Sequence, residues 1–199
     1  MNTKRIISIL AVAFLSAGAH AGVIFQDNFD SQTAVLNTDL DSNWFVTDGT
    51  VDVVSTGTYG LTCVGGVGKC VDLDGSTGNA GKLSSRLLNI DAGDYTLKFD
   101  ISGNQRGSAA DSMQMTLGGF LNQSFNLASS APWATQTFNF TVAGSASNYI
   151  VFNHTGGDNI GIMLDNVSLI KNSVPEPASA LLLALGLLGL GLSRRKLAN

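Results

Sequence analysis

The chain is 199 residues long, with 11 Lys and Arg against 15 Asp and Glu, a formal net charge of −4. Outside the two ends, residues 22–173 hold 6 basic groups and 14 acidic ones, and every one of those acids is Asp. This balance excludes a nucleic-acid partner, because phosphate binding needs a basic footprint.

Lys4 and Arg5 precede an apolar stretch over 6–17, and Ala19-His20-Ala21 supplies the small residues that signal peptidase requires. Residues 1–21 therefore read as a signal peptide cleaved after Ala21, and no Cys near that point invites lipoprotein processing. The segment 22–173 is then expected outside the cytoplasm, as one domain. Asp, Asn, Ser, Thr and Gly dominate it, and this is the chemistry of turns and strands.

Alternation marks the strands. Tyr95, Leu97, Phe99 and Ile101 share one phase against Thr96, Lys98 and Asp100, and Phe138, Phe140 and Val142 do so against Thr137, Asn139 and Thr141. Further strands are expected at 23–25, 51–55, 82–88, 112–117, 149–153 and 160–170, separated by turns such as Asp91-Ala92-Gly93-Asp94 and Gly156-Gly157-Asp158-Asn159. Many short strands with such turns predict an all-β, antiparallel sandwich. Within 160–170, Ile162 and Leu164 hold one phase and Val167 and Leu169 the other, so a bulge is expected at Asp165. Cys63 and Cys70, the only cysteines, flank a glycine-rich turn and predict a hairpin disulfide in an oxidising compartment.

Val174-Pro175-Glu176-Pro177 ends the domain, because two prolines stop any strand or helix running through it. An uncharged apolar run over 178–192 follows, and then Ser193-Arg194-Arg195-Lys196. The run predicts a membrane helix with a cytoplasmic basic end. At 15 residues it is short of the roughly 20 that span a bilayer core, so it reads as a temporary anchor.

Catalytic patterns are missing. No Gly-x-Ser-x-Gly elbow occurs, the domain has one histidine, His154, and without Glu a pair of glycosidase carboxyls would have to be Asp in turn contexts. A non-catalytic protein with no catalytic residues is expected. Trp44 lies at a strand start and reads as core, whereas Trp133, Tyr59 and Arg106 lie in loops and are the candidate ligand contacts.

The tail of residues 174–199, with Val174, Pro175, Glu176, Pro177, an apolar helix and then Arg194, Arg195 and Lys196, resembles the C-terminal sorting signal of PEP-CTERM proteins. That resemblance implies a Gram-negative host and an inner-membrane precursor cut by an exosortase, a membrane protease. Delivery to the cell surface or the extracellular polysaccharide matrix would follow. A second resemblance rests on Ile24-Phe25-Gln26-Asp27-Asn28-Phe29-Asp30, Trp44-Phe45-Val46, Gly93-Asp94-Tyr95-Thr96-Leu97 and Leu164-Asp165-Asn166-Val167-Ser168-Leu169. These stretches look like the galactose-binding-like jelly-roll domains, a group that includes many carbohydrate-binding modules. It implies a jelly-roll sandwich, glycans as possible partners, and a structural calcium where first and last strands meet, with Asp27, Asp30 and Asp165 as its candidates. Asp72 and Asp74 invite the same reading; all five are also ordinary turn residues. Two roles stay open for the domain: a glycan-binding module, or a structural matrix protein with no small ligand.

Overall fold

The computed structural model describes residues 21–40, 43–107, 109–173 and 185–187. Ala21–Asn172 form the first of two compact units. Fourteen strands run through the first unit: β1 Gly22–Asp27, β2 Val35–Thr38, β3 Trp44–Asp48, β4 Val51–Ser55, β5 Lys69–Asp72, β6 Lys82–Ser85, β7 Leu88–Ile90, β8 Gly93–Ser102, β9 Asp111–Leu117, β10 Leu121–Leu127, β11 Ala134–Val142, β12 Ala146–Asn148, β13 Ile150–Thr155 and β14 Met163–Lys171.

They form an antiparallel jelly-roll sandwich. One sheet has the order β11-β8-β14-β5-β4-β2 with β1 also paired to β14, the other the order β10-β9-β13-β6-β3, and β7 and β12 make a small third pair. The alternation read from the sequence is the alternation of burial. Tyr95, Leu97, Phe99 and Ile101 are buried on β8, and Met113, Met115 and Leu117 on β9. They meet Leu83, Phe152, Leu164, Val167 and Leu169 in one continuous core. Burying such side chains contributes about 1.5–3 kcal/mol each, the main favourable term in a sandwich with almost no helix.

Trp44 is wholly buried at the start of β3, with Phe25 edge-on at 5.1 Å, Phe29 at 5.6 Å and Phe152 at 6.2 Å. Its indole N–H donates to Asp27 Oδ2 over 3.0 Å, and Asp27 Oδ1 accepts the amide of Phe29 over 2.7 Å. One carboxylate thus satisfies a buried indole and turns the chain out of β1.

The expected strand over 82–88 is two strands in different sheets. After Ser85 the amide of Arg86 donates to Asn43 O over 2.7 Å, which ends pairing with β3 and lets β7 leave toward β12. The expected strand over 160–170 begins only at Met163, because the segment before it is held by side chains instead of a ladder. The bulge at Asp165 is present: Asp165 pairs with Asp100 but Ser168 with Lys98, and Asn166 adopts φ +49°. At this point β14 changes neighbour, from β5 at Met163 and Leu164 to β1 from Val167 onward.

Cys63 and Cys70 are joined in a disulfide. The bridge lies with Val54, Leu61 and Met163 in a second small cluster, with Trp133 packed against it.

Candidate functional site

The outer face of the five-stranded sheet is an ordered polar surface. Because Met113, Met115 and Leu117 point inward, Ser112, Gln114 and Thr116 point out. The same phase puts Asn122, Ser124 and Asn126 of β10 and Val151, Asn153 and Thr155 of β13 on that face. Register then aligns them in rows across the strands. Ser124, Gln114, Asn153, Lys82 and Asp48 form one; Asn122, Thr116, Val151, Ser84 and Phe45 form the next. A third, shorter row holds Asn126, Ser112 and Thr155. Gln114 donates to Asn122 Oδ1 over 2.9 Å and Asn126 to Ser112 Oγ over 2.8 Å, which orients the amides. A depression of about 280 Å³ lies among Ser112, Gln114, Ser124, Asn126 and Thr155. Phe45, half exposed, is the aromatic side chain of this face.

None of these residues stood out in the sequence, where Asn, Ser and Gln counted as turn composition. The alternation of β10, Leu-Asn-Gln-Ser-Phe-Asn-Leu, was the available signal.

The three loop candidates lie on the other sheet's side. Tyr59 is 64% exposed at φ +53° and shares a small depression of about 80 Å³ with Arg106, Asp52, Asp72 and Ser76. Arg106 is ion-paired to the buried Asp72 carboxylate. Burial pushes the Asp72 carboxyl up to about 7, although Arg106 pulls it the other way. Trp133 is half-buried, and its indole donates to Thr62 O over 2.8 Å. It lines a neighbouring hollow of about 370 Å³ with Gln105, Ser102 and the 129–132 loop. Gln105 stands between the two depressions. Its amide donates to Thr62 O and Ser102 Oγ, both over 3.0 Å, and accepts from the Thr62 amide over 2.9 Å. The structure thus brings Tyr59 and Arg106 together and keeps Trp133 apart, with Gln105 as a staple between loops.

The carboxylates considered for calcium each serve the chain. Asp27 holds Trp44 and Phe29, as above. Asp30 Oδ1 accepts the Lys69 amide over 2.8 Å, and its Oδ2 accepts Asn28 Nδ2 over 2.9 Å. Asp165 accepts the amides of Asn166 over 2.7 Å and Val64 over 3.3 Å. Burial pushes the Asp165 carboxyl up to about 6, with Asp30 and Asp100 adding in the same direction. Among the described residues no three His, Cys, Asp or Glu side chains gather into a group that could hold a metal.

Asp72, Asp74 and His154 anchor the loop before β14. Asp74 Oδ2 accepts the amides of Gly157 over 2.8 Å and Asp158 over 3.2 Å, and Asp72 Oδ1 that of Gly161 over 3.0 Å. His154 Nε2 accepts the Ile162 amide over 3.2 Å, and burial pulls its pKa down. Gly161 is required here, since a Cβ would lie 2.4 Å from the Asp74 amide and 2.7 Å from Asp72 Oδ1.

Ala21, the expected cleavage residue, is exposed at the first described position. Ala19, Val174, Pro175, Glu176, Pro177, Arg194, Arg195 and Lys196 lie outside the described residues, as does most of the expected helix over 178–192, of which 185–187 are helical. Among the described residues no helix is long and apolar enough to cross a membrane.

Comparison with solved structures agrees with the sandwich. The K1 cleaved adhesin domain of Lys-gingipain from Porphyromonas gingivalis W83 is 15% identical, with a TM-score of 0.51 over 75% of this chain and 98% of its own. The K3 domain of the same protein is 15% identical, with a TM-score of 0.50 over 77% and 100%. A carbohydrate-binding module, CBM6cm-2 from Cellvibrio mixtus lichenase 5A, solved with cellotriose, is 16% identical, with a TM-score of 0.44 over 76% and 99%. At such identities the likeness concerns the fold alone. No curated protein sequence matches the chain. Residues 173–196 match the family model described as the PEP-CTERM protein-sorting motif, and the chain carries that motif at its end.

Proposed function

We propose that this chain is an exported, non-catalytic protein, delivered through its PEP-CTERM tail, whose domain binds glycans on the outer face of the five-stranded sheet. The observation that carries the binding reading is the set of aligned rows, in which Gln114, Asn122, Asn126 and Asn153 present planar amides among hydroxyls. An amide offers a donor and an acceptor side by side, the pattern that vicinal sugar hydroxyls match. Lys82 and Asp48, paired in register, nearly cancel, so the face suits an uncharged glycan. Signal peptidase would release residue 22 onward, and an exosortase would act at Pro175-Glu176-Pro177, with the cell surface or polysaccharide matrix of a Gram-negative bacterium as the destination.

Binding of the secreted protein to its host's exopolysaccharide, and to a panel of neutral glycans, tests the reading. Gln114→Ala and Asn153→Ala should each weaken binding about five- to tenfold, as the loss of one or two hydrogen bonds does. Undiminished binding in both variants would remove the face from consideration. The sorting step is tested separately: with Pro175, Glu176 and Pro177 all changed to Ala, a membrane-bound precursor should accumulate, and unchanged processing would refute it.

A second reading, a structural matrix protein with no small ligand, is favoured by the predominance of amides and hydroxyls over aromatic rings among the described residues of this face. It requires retention in matrix material without saturable sugar binding.

A further inference from the structure

Charge is unevenly spread over the domain. From Ser112 to Gly157 the chain has no Asp, Glu, Lys or Arg, and this stretch supplies nearly all of β9 and the whole of β10, β11, β12 and β13. Two of these strands are sheet edges: β10 ends the five-stranded sheet and β11 ends the seven-stranded one. They lie on the same side of the sandwich. Phe125 of β10 meets Phe138 of β11 edge-on at 6.4 Å, and Phe120 stacks on Phe140 at 5.7 Å. These rings are only half-buried, because none of the described residues lies beyond the edges to cover them.

An edge strand presents unpaired N–H and C=O groups, which native proteins guard with charges, prolines, bulges or brevity. The opposite side of this sandwich is guarded in that way. There β2 has four residues and a register shift against β4, and β3 has a shift against β6 and ends in Asp48. The β10 and β11 side lacks all of these devices. The strands are seven and nine residues long, uncharged, free of proline, and in unbroken register with their neighbours. At nine residues β11 offers an edge about 30 Å long.

The charge distribution also says what can approach. With 14 Asp against 6 basic residues over 22–173, two copies carry like net charge and repel overall. The β10 and β11 side is where they meet without like charges. The acids beside β11, Asp94 and Asp100 on β8, each accept a hydroxyl from it, from Thr141 over 2.6 Å and Thr135 over 2.5 Å, and Asp111, opposite Leu127 of β10, is buried. A strand paired antiparallel with its own copy about a twofold axis is self-complementary.

We propose that the side formed by β10 and β11 docks a second copy of this chain, with β11 against its counterpart so that the two seven-stranded sheets become continuous. The test is kept apart from the glycan reading by placing it on β11, whose exposed Thr137 and Asn139 belong to the other sheet, since β10 carries Asn122, Ser124 and Asn126 of the glycan face.

The test is sedimentation of the full-length chain in mild detergent over a concentration series, beside Thr137→Glu and Val35→Glu. Thr137 lies opposite Lys98, so a glutamate there keeps a favourable neighbour within its own copy while two copies bring like charges together. The wild type should pass from monomer to dimer as concentration rises. Thr137→Glu should weaken association at least about tenfold with its melting temperature unchanged, and Val35→Glu, on the β2 edge, should associate as the wild type does. A wild type that stays monomeric throughout overturns the proposal, even if another protein is captured by that edge. Association that survives Thr137→Glu, or that Val35→Glu abolishes, overturns it equally.

Discussion

Removing the disulfide by the double change Cys63→Ala and Cys70→Ala should cost a definite and modest amount. The bridge closes a loop with a sequence separation of 7. Loop-closure entropy for so short a ring is about 2.5 kcal/mol at room temperature. The loop has other tethers, which keep the loss from growing: the Val64 amide on Asp165, the Lys69 amide on Asp30, and Thr62 held by Gln105 and Trp133. For a domain of this size the expected fall in melting temperature is about 5–10 °C. The two tryptophans divide the readout, since Trp44 is buried in the main core and Trp133 packs on the disulfide cluster. Fluorescence of the double variant under native conditions should show the Trp133 environment loosened with Trp44 unchanged, and chemical denaturation should give the stability loss. Equal stability with and without the bridge would refute the reasoning. So would a loss above about 5 kcal/mol, which would mean that the bridge holds more than its own loop.

The pH dependence follows from the buried carboxyls. Asp72 and Asp165 keep their protons in the fold up to about 7 and about 6, against 3.8 for an ordinary Asp, and Asp111 shifts the same way, so the folded chain binds more protons in that window and loses stability as pH rises through it. His154 opposes them with a lowered pKa, whose stabilisation is lost on acidification, but it is one group against three. The melting temperature should be higher near about pH 5 than near about pH 8, and Asp165→Asn should flatten the slope. Asp27→Ala leaves the buried Trp44 indole without its acceptor and should cost about 1–3 kcal/mol by urea denaturation. Gly161→Ala should destabilise the domain and raise hydrogen exchange over 156–162, since its new methyl would displace Asp72 and the Asp74 amide.

Trp44, Cys63, Cys70 and Asp165 show what a sequence can reveal about this fold. Each stands in a local pattern with one simple resolution: an aromatic opening an apolar strand, two thiols around a glycine turn, a phase change within one strand. The face carrying Gln114, Asn122 and Asn153 was illegible for the opposite reason. Its residues are unremarkable singly and become a surface only when register lines them up across strands far apart in the chain. Trp133 stands in a Pro-Trp loop, and the cluster it packs on comes from Val54, Leu61 and the disulfide, far from it in the chain. Arg106 likewise follows a strand in an apparently open loop, and its partner Asp72 is 34 positions away.

The last strand has a consequence for how the molecule comes to exist. β1 pairs with β14 alone, and β5 and β8 also lean on it, so Phe25 waits for Leu169. Contacts so distant along the chain form slowly, after the intervening residues have been made. Until residues 163–171 leave the ribosome the seven-stranded sheet lacks its middle, and the core cannot close. The place of β14 so late in the chain makes closure of this sheet a post-synthetic event, with every earlier strand waiting on one that is made near the end.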